Sequence, residues 1–84
     1  MAQHGAYKEV IVETYREGGG VTGIHVRPAP GQPFPQSLRV ECSKRLITDY
    51  PVGTRFKILA KLTDRQGEGA FLYSSYKWKF EVVR

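Results

Sequence analysis

The stretch "TRFKILAKLTDRQGEGAFLYSSYKWKF", residues 54–80, decides how this chain folds. Its first part alternates: Phe56, Ile58, Ala60 and Leu62 share one face, and Arg55, Lys57 and Lys61 share the other. Period-two alternation over this length is the mark of a strand with one buried side. "RQGEG" (65–69) has the glycines of a hairpin turn, and "AFLYSSYKWKFEVV" (70–83) forms the returning strand.

Pairing the two strands exposes a conflict. With Arg65 opposite Ala70, Leu62 meets Tyr73, an apolar pair; continued without a break, the same register sets Ile58 against Lys77 and Phe56 against Lys79. Two lysines would then face the core, which costs several kcal/mol for each unpaired charge. The register must therefore change. A one-residue β-bulge at Ser74–Ser75 turns Tyr76, Trp78 and Phe80 inward, opposite Ala60, Ile58 and Phe56. The lysines then go outside, and Arg55, Lys57, Lys61, Lys77 and Lys79 gather on one outer face with Glu81 as the only acid.

Other segments also read as strands. In "YKEVIVETY" (7–15), Val10, Val12 and Thr14 share a face and Ile11 lies on the opposite one. "EGGG" (17–20) breaks the run, "VTGIHVR" (21–27) follows, and Gly23 marks a bend. "PAPGQPFP" (28–35) holds four of the five prolines and reads as an exposed, stiff loop, since proline cannot donate to a ladder. In "SLRVECS" (37–43), Leu38, Val40 and Cys42 face inward. Residues 44–50 have room for one helical turn, capped by Ser43 and stopped by Pro51.

Five strands, short connections and at most one helical turn predict a small all-β protein, a five-stranded antiparallel β-barrel. SH3-like topology is the first expectation and OB-like the second, because an OB-fold takes a fuller helix between its third and fourth strands. Residues 1–84 make one domain, with 1–5 frayed. Hydrophobic content of 40% and charged content of 25% exclude a disordered chain. A single cysteine rules out an internal disulfide, and the lack of an apolar leader or an 18-residue apolar run sets cytoplasm as the expected compartment, away from membranes.

Functional motifs are few. His4, His25 and Cys42 lack the paired spacing of a metal site, and Cys42 runs in phase with Leu38 and Val40, as a core residue does. The triple glycine lacks the Lys-Ser/Thr of a phosphate loop, and Asp49, Asp64 and Glu68 lack spacing for acid–base work. The expectation is a protein without catalytic residues, metal or cofactor. Charge is the positive signal. Residues 1–38 are neutral, whereas residues 39–84 carry ten basic and five acidic side chains. That basic half favours single- or double-stranded nucleic acid as partner, bound by Arg55, Lys57, Lys61, Lys77 and Lys79. The competing class is a module that binds another protein or a second copy of itself through a strand edge. Tyr7, Tyr15, Phe34 and Tyr50 are the aromatics left over for a surface.

Overall fold

A computed structural model describes residues 7–19, 23–65, 69–75 and 79–83. The chain runs β1 (Lys8–Arg16), β2 (Ile24–Pro28), β3 (Arg39–Glu41), α1 (Arg45–Thr48), β4 (Arg55–Arg65), β5 (Gly69–Tyr73) and β6 (Glu81–Val83). It is a small all-β protein, one sheet nearly closed into a five-stranded barrel. The order around the barrel is β2-β1-β4-β5-β3, and β6 joins β4 off that path. Four ladders are antiparallel; the exception is β3–β5, which runs parallel.

Strand β4 behaves as its alternation requires. Phe56, Ile58 and Ala60 are 0%, 3% and 0% exposed, and they meet Val10 and Val12 from the inner face of β1. Thr14 continues that inner face. Its burial is tolerated because its hydroxyl accepts a hydrogen bond from Gly53 N–H at 3.0 Å.

The returning segment changes register, as the lysines demand, but differently from the one-residue bulge. Arg65 pairs with Gly69, so Leu62 meets Leu72, and Tyr73 lies beside Lys61. Gly69 opens β5 at φ +79°, a conformation glycine adopts without steric cost, which makes the turn one residue shorter than expected. Beyond Tyr73 the ladder stops. Ser74 and Ser75 lie outside any strand, and pairing to β4 resumes with Glu81 opposite Lys57. Between the pairs Lys61–Tyr73 and Lys57–Glu81 the returning segment carries four more residues than β4, instead of one. The expected pairings of Ala60 with Tyr76 and Ile58 with Trp78 fall outside the described residues. Phe56 faces Val82 across the ladder in place of Phe80, yet the Phe80 ring packs edge-on against Phe56 at 5.5 Å. Tyr50 joins them, 5.0 Å from Phe56, so it belongs to the core cluster and not to a surface.

The helical turn α1 has no strong cap. Ser43 Oγ accepts weakly from Arg45 N–H at 3.3 Å. What fixes α1 is Leu46, buried within the core cluster at one end of the barrel. The proline loop is tied down from inside: Gln32 Oε1 accepts from Ile11 N–H at 3.0 Å. Gly23 is needed where it stands, since a Cβ there would meet the Gly18 carbonyl at 2.6 Å.

Leu46→Ala is expected to lower the free energy of unfolding by about 2–5 kcal/mol. Lys44→Ala, exposed on the same turn, is expected to change it by less than about 0.5 kcal/mol. Urea denaturation followed by tyrosine and tryptophan fluorescence measures both.

Candidate nucleic-acid interface at the barrel seam

The predicted basic face lies on the barrel exterior, but it is more neutral than the hairpin alone implies. β1 flanks β4 on its other edge and brings its own acids. Arg55 Nε sits 3.4 Å from Glu13 Oε1, and Lys57 Nζ sits 3.2 Å from Glu81 Oε1. The Glu81 hydrogen bond, and then the charges of Glu81 and Glu9, raise the Lys57 pKa above the ordinary lysine value. Lys61 lies over the Tyr7 ring at 5.1 Å. Lys79 is exposed and borders a notch with Lys57, Leu59 and Phe80. Lys77 falls outside the described residues. Glu81 is therefore not the only acid among these cations; Glu9 and Glu13 interleave with them.

A different place gathers more open chemistry. β2 and β3 end the strand order on opposite sides, and among the described residues no ladder joins them. A cleft of about 560 Å³ opens along this seam. Ile24, Val26, Leu38, Val40 and Ile47 supply its apolar lining; Tyr15, His25, Arg39 and Lys44 supply its aromatic and cationic lining.

Each polar group is positioned by strand parity. Tyr15 alternates out of phase with the buried Val10, Val12 and Thr14, so it faces outward, directly opposite His25. Their rings lie 5.7 Å apart, and the Arg27 guanidinium covers the Tyr15 ring at 4.3 Å. Arg27 is held in turn by Glu13, Nε to Oε2 at 2.9 Å. The same carboxylate accepts from Gln36 Nε2 at 3.1 Å. Glu13 thereby links β1, β2, β4 and the proline loop and fixes the ring that borders the cleft.

Across the seam, Arg39 pairs loosely with Glu41 at 3.4 Å, with over half of its side chain in solvent. Such an exposed pair is worth at most about 1 kcal/mol and yields readily to a phosphate. Lys44 makes no ion pair among the described residues. Cys42 also lines the cleft, but burial pushes its thiol up to about 11. It is a packing residue with little thiolate at neutral pH. Among the described residues no cluster of His, Cys, Asp or Glu is arranged to hold a metal, and no helix is long and apolar enough to cross a membrane.

Of the residues around the cleft, the sequence singled out only Tyr15 as an aromatic available at a surface. His25, Arg39 and Lys44 carried no motif. Alternation alone puts His25 and Arg39 outward, but their meeting across a seam depends on strand order. No protein-family model, curated protein or solved structure matches the chain.

Cys42 is expected to react with a disulfide reagent at pH 8 about a hundredfold more slowly in the native protein than in urea, since its thiolate is suppressed by roughly two pK units. Equal rates would place the thiol in solvent.

Proposed function

We propose that this chain is a non-enzymatic module that binds single-stranded nucleic acid in the seam cleft between β2 and β3. The observation that carries the reading is the cleft itself: an apolar floor, a Tyr15–His25 pair at one wall and the Arg39 and Lys44 cations at the rim. An unstacked base finds the exposed His25 ring there, braced by Tyr15, and phosphates find cations. The net charge of +5 adds long-range attraction for a polyanion.

Topology supports the same reading. The order β2-β1-β4-β5-β3, the parallel β3–β5 ladder and a helical turn between β3 and β4 favour the OB-like arrangement over the SH3-like one. α1 is only four residues long, but Leu46 fills the core position that a fuller helix would otherwise reach. Open barrels of that arrangement use the face of their second and third strands to hold oligonucleotides. The hairpin cations are secondary in this account. Arg55 and Lys57 are spoken for by Glu13 and Glu81, so they add to the field more than to the grip.

Fluorescence anisotropy with a labelled single-stranded oligonucleotide tests the proposal. Binding is expected to weaken with salt, and Arg39→Ala with Lys44→Ala is expected to flatten the log–log salt slope by about 1.4, two single-strand phosphate contacts. His25→Ala is expected to weaken binding by about five- to tenfold, the loss of one stacking face. Lys57→Glu is expected to have the smaller effect. No binding at low salt, or loss on Lys57→Glu with none on the Arg39/Lys44 variant, contradicts the assignment.

A further inference from the structure

We infer that Glu41 makes the seam selective for guanine: its carboxylate accepts from the N1–H and the 2-amino group of a guanine laid across the cleft on the His25 ring. This inference rests on the nucleic-acid reading above and names the base that the cleft prefers.

Glu41 is the one acid among the described residues that line the cleft. Strand parity sets it there. Val40 is buried in the core, so its neighbours Arg39 and Glu41 both point outward from β3. The backbone beneath is fixed: Glu41 pairs with Tyr73 in the parallel ladder, and its carbonyl accepts from Ser74 N–H at 2.8 Å. On the opposite wall, the buried Val26 turns His25 outward in the same way, and Tyr15 braces its ring. β2 and β3 approach within 8 Å, Cα to Cα. A base therefore lies over the seam, on outward side chains, and not between the two main chains. With its face on His25, its edge extends toward Glu41.

Charge selects the base. In the free protein Arg39 is a counter-charge of Glu41, Nη2 to Oε2 at 3.4 Å. When Arg39 turns to a phosphate, that neutralisation weakens and a carboxylate stands beside a polyanion. Like charges repel, so Glu41 costs affinity unless the ligand returns N–H donors to it. An ionised carboxylate has two oxygens, and both only accept. Guanine alone among the common bases sets two donors, N1–H and the 2-amino group, side by side on its Watson–Crick edge. Cytosine and adenine each offer one amino group beside a ring acceptor. Thymine and uracil set a single N–H between two carbonyls, which repel a carboxylate. That edge is open to a side chain only where the base is unpaired, as in a single strand. Arg39 and Lys44 at the rim serve the flanking phosphates.

Anisotropy compares three short thymidylate strands of equal length, whose central base is guanine, hypoxanthine or thymine, on the wild-type protein and on Glu41→Ala. Hypoxanthine keeps the purine ring, O6 and N1–H of guanine and lacks only the 2-amino group. The guanine strand is expected to bind wild type at least about fivefold more tightly than the hypoxanthine strand, the smaller end of what a bidentate contact discriminates. In Glu41→Ala that preference is expected to disappear, while the thymine strand binds as tightly as to wild type or more tightly, because a like charge is gone. Equal affinity of the guanine and hypoxanthine strands for wild type, with thymine weaker, means stacking alone and overturns guanine reading while the nucleic-acid function stands. Equal affinity of all three means phosphate contacts alone and overturns it likewise. A guanine preference that survives in Glu41→Ala, or an equal loss of all three strands there, gives the carboxylate no part in base choice and also overturns it. No binding of any strand by wild type at low salt overturns both.

Discussion

The alternation of β4 is the constraint on which the rest of this barrel depends. A strand with Phe56, Ile58 and Ala60 fully inside and Arg55, Lys57 and Lys61 outside cannot slip by one residue without burying charge. β1 satisfies one edge of it, matching Val10 and Val12 to the inward residues. The other edge must be served by a returning segment whose lysines also need water. Unbroken pairing is impossible there, so the segment divides into β5 and β6 with the ladder interrupted after Tyr73. Phe80 still reaches Phe56 and Tyr50, so the interruption preserves the aromatic cluster.

The open seam follows from how the remaining strands are engaged. β3 runs parallel to β5 and extends that pairing through the bond from Ser74 to Glu41. β2 is committed to β1 by five residue pairs and by the Glu13–Arg27 bridge. Each strand uses its odd-numbered groups on its own neighbour, and the even-numbered groups face the seam. Pro28 and Gln36 close one end of the gap.

Much of the fold was legible because it depends on local patterns. The inward sets of β1, β3 and β4, the break at the serines and the single helical turn all follow from period, charge and turn residues. The exact register did not, because the turn closes at Gly69 and not at Ala70, and a single residue inverts which side chains pair. Strand order was hidden for a different reason. Nothing local to "SLRVECS" tells β3 to run parallel to β5, and that choice determines where the seam lies. The surroundings of the predicted cations were hidden by the same gap. Basic residues adjacent in the hairpin were readable, but the acids Glu9 and Glu13 that temper them arrive from a strand more than forty residues away in sequence. Tyr15, His25, Arg39 and Lys44 come from three strands and a turn, so only the assembled barrel brings them together.

The claim at the centre of this account is that the β2–β3 seam, and not the hairpin exterior, is where a ligand binds. Amide chemical shifts of the isotope-labelled protein, followed as a single-stranded oligonucleotide is added, test it residue by residue. The account predicts the largest shifts at Ile24, His25, Arg39 and Lys44, which line the cleft. Shifts concentrated at Arg55, Lys57 and Lys79, with the seam amides unmoved, would contradict it.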